Sequence, residues 1–350
     1  MVIQSLVLRI HPQWWMVKIT NFTNSEPVMS YCRTIVHLSI FGLTTDDKMP
    51  TLHTIKRAVS LSLFFLCLIV GNGATAQSLD SLTRMDITFY SEGILLAGTL
   101  FSPTDPQAAI VLVHGSGQEK RMDRFAERLA ARGIAVLTYD KRGVGASGGT
   151  YAGPEVGTNN VDSANLSLLA KDASAAVNKL QEVAMDLPVG LVGSSQAGWI
   201  IPIAATLSPS VDFMVLFSGP TITSLEQLRF QFHTNGDPNY WETHSEAEAR
   251  EHLKNDPDRF QFTATDPKHS LAKLAIPGLW LYGAQDIQVP AQLCIEQLNQ
   301  LKGEGKPFDS RIYLNLGHNT ASASDETPVE EAVLWIKQRA LEYKKSSNSN

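Results

Sequence analysis

Five short runs of this chain are apolar almost throughout, and that limits what they can fold into. AIVLV at 109–113, IAVLTY at 134–139, VGLV at 189–192, FMVLF at 213–217 and GLWLY at 278–282 offer no polar face to water. Strands of that kind must be covered above and below, as in a parallel sheet flanked by helices. Helical spacing of apolar residues recurs between and after the runs, over 122–132, 163–182, 196–207, 291–301 and 328–343. A further strand is predicted at 310–314. Ahead of the first run, 85–90 and 94–101 predict an antiparallel hairpin that turns at Ser91-Glu92-Gly93. The stretch from about 221 to 275 breaks this alternation. It is rich in charge and in aromatics (Phe230, Phe232, Tyr240, Trp241, Phe260, Phe262) and reads as a helical insertion. Those aromatics suit an apolar substrate pocket and the insertion's own core equally well. The fold class expected is α/β: a mostly parallel central sheet with helices on both faces, an N-terminal β-hairpin and a modest helical cap.

The front of the chain has a different character. From Met49 it reads MPTLHTIKRAVSLSLFFLCLIVGNGATAQ: Lys56 and Arg57, an apolar stretch from Ala58 to Gly71, then Ala74-Thr75-Ala76. That order describes a secretory signal peptide over 49–76, cleaved before Gln77, so the chain 77–350 is expected to be secreted or periplasmic. The apolar run, about 14 residues, is shorter than the roughly 18 a membrane span needs, and no stable span is expected after cleavage. Residues 1–48 would obstruct a signal that they precede. They are expected to be a mis-called N-terminal extension, with Met49 the true start; N-terminal sequencing of the precursor distinguishes this from a real extension. A net charge of -6, with Lys and Arg dispersed, leaves no basic footprint for nucleic acid. Cys32, Cys67 and Cys294 have neither metal-ligand spacing nor a disulfide framework.

In an open α/β sheet, ligands lie at the carboxyl ends of the strands. The residues found there are His114-Gly115-Ser116-Gly117, Asp140-Lys141-Arg142-Gly143, Gly193-Ser194-Ser195-Gln196-Ala197-Gly198, Gly283-Ala284-Gln285-Asp286 and Gly317-His318. A serine, an aspartate and a histidine thus follow three separate strands, which suits an activated hydroxyl nucleophile. A nucleophile elbow needs small residues two places before and after its serine. Ser195 has Gly193 and Ala197 there, whereas Ser194 has Val192 and Gln196, so Ser195 is the candidate. The alternative is that both serines merely cap the helix that follows. His318 is the candidate base and Asp286 the carboxylate that orients it. The backbone N–H groups of Gln196 and Ser116 are the candidate oxyanion donors. GVGASG at 143–148 matches a dinucleotide fingerprint, but the glycines and proline that follow it predict a loop where that fold opens a helix. It is read as a turn tied down by Asp140 or Arg142.

HGSG, YDKRGVGASGG, GSSQAG, YGAQDIQVP and the late GH occur in an order that resembles the α/β-hydrolase superfamily from about Met85 to Tyr343. The likeness is to bacterial secreted or periplasmic serine esterases, although alanine replaces the usual last glycine of the elbow. The resemblance implies a serine hydrolase that cleaves carboxylic esters of small molecules through an acyl-enzyme, with Ser195, Asp286 and His318 as triad and neither metal nor cofactor. A peptidase or acyltransferase on the same triad, or a non-catalytic binding protein of this fold, remains open, as fold alone does not set function.

Overall fold

The computed structural model describes residues 2–10, 13–21, 40–42, 82–153, 158–184, 186–256 and 262–347. The chain divides into two compact units, Met1–Ala76 and Gln77–Asn350. In the first, β1 (Val2–Ile10) pairs antiparallel with β2 (Gln13–Asn21), and β2 with β3 (Ile40–Gly42). The sequence pattern predicts no element there. The signal peptide expected over 49–76 lies outside the described residues.

The second unit opens with the hairpin of β4 (Thr83–Ser91) and β5 (Ile94–Ser102), registered Ser91 to Ile94. Glu92 and Gly93 between them have φ of 49° and 76°. Positive φ at both positions makes the tight turn whose twist matches that of the strands. The order of the eight-stranded sheet is β11-β10-β9-β8-β6-β7-β5-β4. Its other strands are β6 (Ala108–Val113), β7 (Ile134–Tyr139), β8 (Val189–Ser194), β9 (Phe213–Phe217), β10 (Gly278–Gly283) and β11 (Phe308–Tyr313). From β6 to β11 every pairing is parallel; β5 pairs antiparallel with β7 and β4 with β5.

Successive side chains of β6 point to opposite faces, and both faces are buried. Ala109, Val111 and Val113 join one apolar cluster with α3 (Ser163–Val183), α4 (Ala197–Leu207) and α9 (Ala291–Gly303). Ala108, Ile110 and Leu112 join the other with α1 (Asp123–Ala130) and α10 (Thr327–Ser347). Helices therefore cover both sides, as the apolar runs require. A short α2 (Thr158–Val161) precedes α3.

The insertion folds as α5 (Ser224–Thr234), α6 (Tyr240–Thr243), α7 (Glu246–Asn255) and α8 (Lys268–Leu271). Capping boxes start two of these helices: Thr223 with Glu226 at α5, and Ser245 with Glu248 at α7. Phe230, Tyr240, Ala249 and Leu253 form a cluster of their own, with Trp241 packed against it. These aromatics are the cap's core.

Chain order sets where a crevice opens at the sheet's carboxyl end. The chain passes from β6 outward to β7, then returns to place β8 on the other side of β6. Such a reversal opens a crevice at the carboxyl ends of the two diverging strands. The strands that flank it are β6 and β8, and their next residues are the HGSG loop and the tandem serines.

Candidate active site

Ser195 occupies the turn between β8 and α4 with φ of 54°. For a residue with a Cβ this left-handed conformation costs about 1–2 kcal/mol, so the surroundings must enforce it. Its N–H donates to the Phe217 carbonyl at 3.0 Å, and its carbonyl accepts from the Gly198 N–H at 2.8 Å. A Cβ on Gly193 would lie 2.6 Å from the Ala197 Cβ and 2.6 Å from the Val113 carbonyl oxygen. The bare glycine at 193 is thus what lets alanine stand at 197. Ser194 is still a strand residue, in register with Phe217.

Ser195 lines a cavity of about 210 Å³ together with Ser116, Gly117, Val161, Trp199 and Gln227, among others. Gly115 brings the β6 loop against the elbow: a Cβ there would sit 3.4 Å from the Ser194 carbonyl oxygen and 3.6 Å from the Ser195 Cβ. Gln196 is the N-cap of α4, where the N–H groups at the start of a helix have no partner within it. Its side chain is buried, donating through Nε2 to the Asn160 carbonyl at 2.7 Å and to Asn160 Oδ1 at 2.9 Å.

Asp286 and His318 are brought together across 32 residues of chain. Asp286 Oδ2 accepts from His318 Nδ1 at 2.8 Å, with the two side chains 0% and 9% exposed. Asp286 Oδ1 accepts from the N–H groups of Gln288 at 2.8 Å and Val289 at 2.9 Å. An acceptor-only carboxylate fixes Nδ1 as the donor and leaves Nε2 as the basic nitrogen of the neutral ring. Gln288 and Val289 also line the Ser195 cavity, which joins the acid's loop to the serine's pocket. The histidine loop lies against β10: a Cβ on Gly283 would come within 2.3 Å of the Leu316 carbonyl oxygen. The Thr320 hydroxyl fastens the same loop by donating to the Leu281 carbonyl at 3.1 Å.

The cap grips the acid loop from outside. The Trp241 indole donates to the Asp286 carbonyl at 2.8 Å, Thr234 Oγ1 to the Ile287 carbonyl at 2.6 Å, and Gln227 Nε2 to the Gln288 carbonyl at 2.9 Å. Sequence reasoning missed these three, and also Lys141 and Glu119, which brace the β6 loop. They act through backbone atoms of distant segments, a relation that no linear spacing displays.

His114 is buried with its ring edge-on to Tyr139 at 4.8 Å. Burial, with help from the charge of Lys141, pushes its pKa down to about 3, so the ring stays neutral. Residues 141–153 open no helix. Asp140 instead accepts from the Arg121 guanidinium at 3.0 Å and the Ala146 N–H at 2.9 Å. Arg142 pairs with buried Asp172, Nε to Oδ2 at 3.0 Å, and also reaches Ser91. Both residues therefore tie the turn down. Buried Cys294, whose thiol burial pushes up to about 12, is inert packing. Among the described residues no His, Cys, Asp and Glu side chains cluster to hold a metal ion, and no helix is long and apolar enough to cross a membrane.

Residues 104–268 match the family described as serine aminopeptidase, S33. A monoacylglycerol lipase of Mycolicibacterium smegmatis is 28% identical over 147 residues, 41% of this chain and 49% of that protein. The chain thus aligns with about half the length of that curated relative. Among solved structures, an esterase of Pyrococcus furiosus superposes with a TM-score of 0.52 at 17% identity, over 78% of this chain and 95% of that one. A thermostable carboxyl esterase of Bacillus coagulans gives 0.52 at 16% identity, over 74% and 100%. At such identities the likeness is one of fold.

Proposed function

We propose that this chain, which has the fold of the α/β hydrolases, belongs to that superfamily and is a serine hydrolase that cleaves carboxylic esters. The observation that carries the reading is the strained Ser195, lining a cavity whose wall residues Gln288 and Val289 also hold the carboxylate of the Asp286–His318 pair. In this mechanism His318 Nε2 takes the Ser195 hydroxyl proton as Oγ bonds to the ester carbonyl carbon. The N–H groups of Gln196 and Ser116 receive the oxyanion. The C–O bond to the leaving alcohol breaks as His318 returns the proton to that oxygen. Water then attacks the acyl-enzyme, giving its proton to His318, which passes it to Ser195 Oγ as the acyl C–O bond breaks and the acid leaves. Asp286 keeps the ring's tautomer and stabilises the imidazolium.

The family description and the residues of the pocket point to different substrates. An aminopeptidase must seat an α-ammonium, which calls for a carboxylate, yet the described lining residues include neither Asp nor Glu. Gln227, Gln231 and Gln288 line it instead, and its size suits a short acyl group better than a fatty chain. The test is hydrolysis of p-nitrophenyl esters of graded length beside aminoacyl amides, with fluorophosphonate labelling of the serine. Short esters are expected to be the best substrates, and Ser195→Ala is expected to abolish labelling and lower kcat at least about a thousandfold. Near-normal turnover by that variant refutes the assignment; preference for aminoacyl amides favours the peptidase. The signal-like order over 49–76 supports action outside the cytoplasm.

A further inference from the structure

Lys141 lies two residues beyond β7 and is only 2% exposed. Burying an ammonium is expensive unless each of its donors finds a partner. Its Nζ donates to the carbonyl oxygen of Gly115 at 2.5 Å, to that of Gly117 at 3.1 Å and to Gln196 Oε1 at 3.1 Å. An ammonium has three N–H groups, and these are three acceptors. All belong to the segments that carry the candidate oxyanion donors.

Building on the serine-hydrolase reading above, we propose that Lys141 is a positioning residue that aims both oxyanion donors. A trans peptide sets its C=O and the next N–H in opposite directions. With the Gly115 carbonyl drawn to Lys141, the Ser116 N–H points away from the lysine; Ser116 lines the cavity and Lys141 does not. The cation also polarises that amide, which strengthens its N–H as a donor. The bond to Gln196 anchors the residue whose backbone supplies the second donor, and Asn160 fixes the other end of the same side-chain amide. Glu119 Oε2 completes the brace by accepting the Gly115 N–H at 3.0 Å. One cation thereby ties the β6 loop to the start of α4 across the crevice.

The experiment compares wild type with Lys141→Met, Lys141→Arg and Gln196→Met in the full chain. Fluorophosphonate labelling carried to completion counts competent serines, so kcat per labelled site is independent of the folded fraction. Lys141→Met is expected to lower kcat per site about 100-fold with KM little changed, as loss of an oxyanion donor does. Lys141→Arg, which keeps a cation and its donors, is expected to recover part of the loss. Unchanged kcat per site in Lys141→Met overturns the proposal, and so does a loss carried wholly by KM. Should Lys141→Met not fold, Gln196→Met decides, since it removes the side-chain amide that ties Lys141 and Asn160 to α4 while leaving the lysine's bonds to the β6 loop in place. A smaller fall in kcat at constant KM supports the role, and wild-type kcat overturns it. Failure of the hydrolase reading looks different: wild-type protein itself goes unlabelled at Ser195.

Discussion

A single histidine shows how burial decides what a residue can do. The chain order that the α/β-hydrolase resemblance implies sets His114 aside as a base, because it precedes the serine. The physical reason is that its folded-state pKa lies at about 3, below the ordinary 6.5, chiefly through burial. Between those values the unfolded chain takes up a proton that the folded protein refuses. The contribution to stability is complete above 6.5 and is lost as pH falls toward 3. The slope for one proton is about 1.4 kcal/mol per pH unit. Urea unfolding at several pH values from about 7 to 5 is expected to show it, and His114→Phe to flatten it by one proton's worth. A variant that keeps the wild-type slope contradicts the assignment.

Between elements, the polar ties matter more than their number suggests. Arg142 and Asp172, with side chains 6% and 1% exposed, join the loop after β7 to α3, and Arg142 also reaches Ser91 at the hairpin turn. Arg142→Met leaves a buried carboxylate without its charged partner and is expected to cost about 3–5 kcal/mol in urea unfolding. Adding Asp172→Leu is expected to recover much of that; a double variant no more stable than the single one argues against it. The sequence displayed both residues but not the pairing. What it displayed well was periodicity: β7 and β9 have the predicted bounds, and the helices lie within a few residues of theirs. The strand expected at 310–314 instead runs Phe308–Tyr313, because half-exposed residues give it no apolar signature. β8 runs past its apolar residues to Ser194, since Gly193 and Ser194 still make ladder pairs with β9. The cap aromatics were ambiguous for a similar reason, as one spacing serves a core or a pocket. Of the site, the residues after each strand could be read from spacing, whereas the lysine under the β6 loop and the cap's hold on residues 286–288 required the folded chain.

On the scale of the whole molecule, the sheet shares the site unequally. The serine stands beyond β8, which has a strand on either side, and the histidine loop leaves β11, which among the described strands is bonded only to β10, at the sheet's margin. A strand held along one side, with mostly half-exposed residues, opens at lower free energy than the interior of a sheet. Under the proposed mechanism, ester hydrolysis is therefore expected to fail at a lower urea concentration than the loss of far-ultraviolet circular dichroism. Coincident midpoints would show β11 to be as secure as its neighbours. On the proposed mechanism the rim strand is a fuse: mild stress is expected to silence hydrolysis while the interior is intact, and relief of that stress to restore turnover without the chain having to fold anew.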